Sequence, residues 1–137
     1  MRKYPHLLPD DAALWGQFDT DNPAYASTLE YDIHVGEGRD PGPEYDPAIR
    51  NAAILLSQRR IDVVATHADH IDIIEVSTTA GITQVGQLMT YPLLYKAAYN
   101  PTLPLRPLLI CRSFQTDAQP AFDAHNIPYI IVPSKFT

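Results

Sequence analysis

The sequence predicts a mixed α/β or α+β fold in which helices pack on a small mixed sheet, and three observations carry that prediction. Strand-like and helix-like stretches alternate in the order strand, helix, hairpin, helix, strand, helix, strand. Two β-branched runs flank the polar turn HADH, as in an antiparallel hairpin. Over 137 residues the chain is 45% hydrophobic and 19% charged, the balance of one ordinary globular domain.

Residues 1–27 carry no sustained period and read as an extended N-terminal arm with a short turn around Asp11 to Phe18. Residues 28–137 form the folded domain. The chain has 13 prolines, well above the usual ~5% share, and they cluster between elements, which suits rigid contact segments. From Thr28, TLEYDIHV alternates Leu29, Tyr31, Ile33 and Val35 against polar residues, the period of a half-buried strand. Asp46-Pro47 then supplies an N-cap carboxylate and a proline at the first helical position, opening a helix through Arg59.

In the hairpin RIDVVATHADHIDIIEVS the turn sets Asp62 directly across from Glu75, and Arg60 across from Ser77. Opposed Cβ atoms lie about 4.5–5.5 Å apart, where two like charges are destabilising unless a cation lies between them. After the hairpin, a helix is expected from about Gln84 to Tyr99, with Pro92 kinking or splitting it. RPLLICR is a strand, Thr116 to Gln119 resembles a capping-box start of a short helix ending near His125, and IPYIIV is the last strand.

Charge and composition narrow the functions. With 10 Lys+Arg against 16 Asp+Glu and a net charge of -6, bulk attraction to nucleic acid or anionic lipid is disfavoured, so any DNA contact is local. No apolar run reaches the roughly 20 residues of a membrane span, and the first residues do not read as a signal peptide. A cytoplasmic or virion location is expected. The single cysteine, Cys111, lies in the apolar run LLIC and reads as a buried, inert thiol. His67-x-x-His70 with Asp69 reads as a solvated turn, because three ligands on one tight turn seldom close a tetrahedral zinc site. Gly36-x-Gly38 lacks the further glycine of a dinucleotide loop. Tyr91, Tyr95 and Tyr99, at helical spacing, read as core or interface residues.

The strongest constellation is Asp62 with Glu75. Two hard carboxylates on adjacent strands suit Mg²⁺ or Mn²⁺, which activate water for phosphodiester hydrolysis. At these residues, and over roughly residues 46–132, the chain resembles the PD-(D/E)XK nuclease superfamily, whose core runs helix, strands carrying Asp and then Glu-x-Lys, helix, strand. Gln87-Leu88-Met89-Thr90-Tyr91 is similar to the QLxxY helix motif of its RecB-like and Cas-associated branches. The resemblance implies a restriction-endonuclease-like fold, Asp62 and Glu75 as metal ligands, and Gln87 and Tyr91 flanking the site. It departs from the pattern at Ser77, where the family places lysine; Arg60 and Lys96 are the candidate substitutes. It also departs in running the helix before Asp62 straight into that strand, a slot that Thr28 to Val35 would fill from outside.

Two functional readings follow. The first is a non-catalytic structural or interaction protein with a degenerate nuclease-like fold, without cofactor, bound to protein partners through residues 1–27, as in a phage head-to-tail connector. The alternative is a Mg²⁺-dependent DNA endonuclease or resolvase in which Asp62 and Glu75 hold the metal and Arg60 or Lys96 offsets phosphate charge.

Overall fold

The computed structural model describes residues 4–135, in the order α1 (Pro9–Asp21), β1 (Thr28–Val35), α2 (Pro47–Ser57), β2 (Arg59–Thr66), β3 (Ile71–Ala80), α3 (Ile82–Tyr99), β4 (Leu105–Phe114), α4 (Gln119–Ala124) and β5 (Tyr129–Ile131). The five strands make one sheet in the order β1-β2-β3-β4-β5. The pairs β1–β2 and β2–β3 are antiparallel, whereas β3–β4 and β4–β5 are parallel. Parallel neighbours cannot be joined by a tight turn, so α3 serves as the crossover from β3 to β4. The expected mixed sheet flanked by helices is therefore what the chain forms.

Both faces of the sheet are covered. On one, Leu14, Trp15 and Phe18 of α1 pack with Val63, Ala65, Ile74, Val76, Leu108 and Ile110. On the other, α3 lays Val85, Leu88 and Tyr91 over Ile61, Val64, Ile73, Leu109 and Cys111. This double cover explains why β3 is buried without alternation from Ile71 to Val76. It also means that the two acids in that run, Asp72 and Glu75, are buried, at 0% and 3% exposure.

The N-terminal segment differs from the extended arm that its sequence suggests. Residues Pro9–Asp21 form a helix with proline in its first turn and Asp10 and Asp11 where the helix dipole favours negative charge. Leu14, Trp15 and Phe18 recur at one-turn spacing and are almost wholly buried. Trp15 Nε1 donates to the Tyr31 hydroxyl at 3.2 Å, which ties the helix to β1. Residues 1–3 of the expected arm lie outside the described residues.

Other elements keep to their patterns more closely. Asp46 caps α2 by accepting from the Ala48 N–H at 2.9 Å, as expected. No residue of α2 is buried, and Ile49, Leu55 and Leu56 are exposed. Pro92 lies inside a single 18-residue helix α3 and does not split it. The hydroxyl of Thr116 does not cap α4: the helix starts later, at Gln119, after Asp117 in a left-handed conformation at φ 69°.

Candidate active site

The hairpin register is the one that the turn dictates. Val63 pairs with Ile74, Val64 with Ile73, Ala65 with Asp72 and Thr66 with Ile71. The ladder stops one step short of Asp62 and Glu75. Instead, the Asp62 N–H donates to Glu75 Oε2 at 3.0 Å, and the Val76 N–H donates to Asp62 Oδ2 at 2.8 Å. Each carboxylate thus replaces a lost ladder partner, and the strands part where like charges would otherwise meet face to face.

The disturbance crosses β2. On its other side Tyr31 pairs with Val63 and Ile33 with Ile61, while Asp32, between them and level with Asp62, is left-handed at φ 56°. A regular strand would put Ile61 and Val63 on one face. Here Val63 packs on the α1 side and Ile61 on the α3 side, with Tyr91. The chain therefore kinks at Asp62, and further along β3 an acid from outside the hairpin serves as acceptor. Asp11 Oδ1 of α1 accepts from both the N–H and the hydroxyl of Thr78, each at 2.8 Å.

Little positive charge offsets these acids. Burial pushes Asp62 from the usual carboxylate range up to about 7, against the Val76 hydrogen bond, with Asp11 and Asp32 adding to the rise. Burial raises Glu75 well above its ordinary value, and the Asp62 charge raises it further. In each acid one oxygen is engaged by backbone, and the other makes no hydrogen bond among the described residues. A buried carboxylate, Glu75, and a half-buried one, Asp62, each with an oxygen to spare, form a donor set suited to a hard divalent cation that retains waters.

Tyr91 closes the α3 side. Its hydroxyl is raised by burial and by Glu75, with a smaller contribution from Asp62, while the Gln87 side chain and the Arg59 guanidinium act in the opposite direction. Asp62, Glu75, Gln87 and Tyr91 are therefore brought together, as the sequence motif implies. Ser77 pairs with Cys111 of β4 and, with Thr78, Thr79 and Leu8 to Asp11, lines an open cleft beside the acids.

The two candidate substitutes for lysine fare differently. Arg60 does not face Ser77, since the ladder has ended; it pairs with His34 of β1, and its Nη2 donates to Asp32 Oδ2 at 2.9 Å. Lys96 is exposed in the last turn of α3. The cation whose charge reaches Tyr91 is Arg59, a residue that pattern reading passed over. Asp11 was missed too. Its signal was present in proline and two acids ahead of Leu14, Trp15 and Phe18, a helix start in front of a helical stripe.

No protein-family model matches the chain, and no curated protein sequence does. Among solved structures, a chain of the EndoMS complex with double-stranded DNA superposes with a TM-score of 0.52 at 15% identity, covering 97% of this chain and 49% of that one. The fold is similar to that of this DNA-bound chain. The order of helix, strands, helix and strand is met here by α1, β1, β2, β3, α3 and β4, with α2 lying between β1 and β2. The helix expected to lead into the Asp62 strand is thus not the core helix, and β1 fills the slot between helix and Asp strand. The chain spans about half the length of the nuclease chain that it matches. Among the described residues, no helix is long and apolar enough to cross a membrane.

Proposed function

We propose that the chain is the nuclease unit of a divalent-metal-dependent DNA endonuclease. The observation that carries this reading is the Asp62/Glu75 pair: a half-buried and a buried acid joined at a strand kink, both held above their ordinary pKa, with no ion pair to a cation among the described residues. A purely structural role gives no reason to keep such a pair, since an apolar or amide pair of similar size would fold better. The nuclease-like fold supports the same reading. The structural reading rested on the missing lysine, the acidic balance and an N-terminal contact arm, and Pro9–Asp21 of that arm form a helix packed in the core.

In this reading Asp62 and Glu75 hold Mg²⁺ or Mn²⁺, which when bound supplies a water of lowered pKa and a positive centre for the phosphate. The chain's own residues do the rest. The Val76 and Asp62 N–H groups fix one oxygen of each carboxylate, so the free oxygens point in a set direction. Tyr91 and Gln87 wall the site on the α3 side. Arg59 supplies the positive charge that Ser77 lacks; as a guanidinium it clamps phosphate and does not serve as a base.

The test is nicking of supercoiled plasmid, with duplex and branched DNA in parallel, in Mg²⁺ or Mn²⁺. Metal-dependent cleavage that disappears in both Glu75→Gln and Asp62→Asn, each shown to be folded, supports the proposal. Absence of cleavage on every substrate with either metal, at high protein concentration, defeats it.

A further inference from the structure

A second cluster lies at the other end of β3, on the α1 face of the sheet. Asp72 is wholly buried, and His67 Nε2 lies 2.8 Å from its Oδ2 and His70 Nε2 3.2 Å from its Oδ1. All three ligand atoms fall within 4.8 Å of one another. The turn that brings the two histidines together is closed by the His67 N–H donating to the His70 carbonyl at 2.8 Å. Their rings stack with centroids 4.2 Å apart and planes 6° from parallel.

The protons on His70 are what make the cluster informative. Asp69 Oδ1 lies 2.7 Å from His70 Nδ1, so the proton of a neutral ring belongs on Nδ1. Nε2 then carries a bare lone pair facing a carboxylate oxygen. It is the one buried side-chain polar atom, among the described residues, with no hydrogen-bond partner. Arg106 already meets both Asp72 oxygens, at 2.6 and 2.9 Å, so it is the Nε2 lone pair that lacks a partner, and a cation there would supply one.

We infer that His67 Nε2, His70 Nε2 and Asp72 form a zinc-class metal site, separate from the Asp62/Glu75 pair. The donors suit a borderline divalent ion: two imidazoles and a carboxylate, with one position left for water. Nitrogen and oxygen ligands about 2.0–2.2 Å from a tetrahedral ion stand roughly 3.3 Å apart; the nitrogen–oxygen spacings here are 2.8 and 3.2 Å, one to each oxygen of Asp72. Asp69 takes the outer position, orienting His70 by its Nδ1–H as carboxylates do behind metal-bound histidines. Asp69 is therefore no ligand, and the third ligand comes from the strand beyond the turn. Sequence spacing alone could not show that. Binding requires the two rings to fan apart, which their partial exposure of 15% and 27% permits. The bound ion would clamp the hairpin to the α1 side, where the Tyr25 hydroxyl also donates to Asp72.

The site is tested by titrating the full chain, freed of metal, with Zn²⁺ by calorimetry and with Co²⁺ by its ligand-field absorption. One ion per chain is expected, with a tetrahedral Co²⁺ spectrum and a higher melting temperature. His67→Gln and His70→Gln should each weaken Zn²⁺ binding by about 100-fold, and Asp69→Asn by about 10–100-fold, the range for outer partners. Glu75→Gln should leave binding unchanged, which separates this site from the proposed nuclease metal. Failure to bind Zn²⁺ at micromolar concentration, or binding that survives the His67→Gln/His70→Gln double substitution, overturns the inference. In the first case a proton is the only cation that His70 Nε2 holds.

Discussion

Replacing Asp62 by Asn should stabilise the fold at pH 8 and do so less than half as strongly at pH 5. The folded-state pKa of Asp62 is about 7 against an ordinary value of 3.8. A raised pKa means that the folded chain keeps a proton that the unfolded chain has already lost. The stabilising contribution is complete below the unfolded value and is lost as pH rises through about 7. Glu75, also raised, extends the loss to higher pH. About three units at ~1.4 kcal/mol each set a ceiling near 4 kcal/mol for Asp62. Asn keeps a carbonyl oxygen to accept from the Val76 N–H, so the relief is not cancelled by a bare donor. With part of the strain shared by Glu75, a gain of about 2–4 kcal/mol is expected at pH 8, or on the order of 6–15 °C in Tm for a chain of this size. Thermal unfolding at pH 5 and pH 8, with and without 10 mM Mg²⁺ (a dose of about that order), reads the effect. Mg²⁺ should raise Tm of the parent chain at pH 8, where the pair must otherwise ionise without a partner, and should not raise that of Asp62→Asn. Equal shifts at both pH values, or destabilisation at pH 8, would refute the reasoning.

Four further outcomes follow from the same contacts. Trp15→Ala should cost about 3–5 kcal/mol by denaturant unfolding, and deletion of residues 1–23 should abolish cooperative folding, because both strip the α1 side of the core. Asp11→Ala should cost about 1–3 kcal/mol by leaving the Thr78 N–H without its acceptor, whereas Asp11→Asn should cost less, measured in the same way. Arg106→Met should destabilise by about 2 kcal/mol in urea titrations, since Asp72 Oδ1 loses its 2.6 Å partner and keeps a buried charge. If the chain nicks DNA, Arg59→Ala should lower the rate about 100-fold, while Arg60→Ala and Lys96→Ala should stay within a few-fold.

The hairpin was legible because both of its strands carry β-branched runs of fixed parity around a four-residue turn, and that leaves one register that buries them. Asp46-Pro47 was legible for the same local reason, a cap and a fixed φ acting within one turn. Helix α1 was not. Gly16 and a stripe of only three large residues give a weak helical signal, and what decides its conformation is the sheet face beneath it. The candidate site divides along the same line. The residue types Asp62, Glu75, Gln87 and Tyr91 could be read from their spacing, but the kink could not. A ladder extended by register places Arg60 opposite Ser77, yet the repulsion between the two acids ends the ladder first and sends Arg60 to Asp32.

Strand β3 holds two buried acids three residues apart, and it treats them in opposite ways. At Asp72 burial works to raise the carboxyl, but Arg106 and Tyr25 outweigh it and hold the group below the ordinary range. Arg106 meets it with two nitrogens, at 2.6 and 2.9 Å. That charge is balanced by the chain itself, so the fold stands without an ion there, and a zinc-class ion would add a clamp to a structure already complete. At Glu75 the chain supplies one backbone N–H and a second carboxylate. The difference is not one of burial, since both acids are almost wholly enclosed. It lies in the absence of a counter-charge at a place where the β2–β3 ladder ends. A protein under selection for stability alone would have neutralised Glu75 as it neutralised Asp72. Leaving the pair unmet is consistent with a partner that comes and goes, and a divalent cation with its phosphodiester substrate has the charge and the size to be that partner.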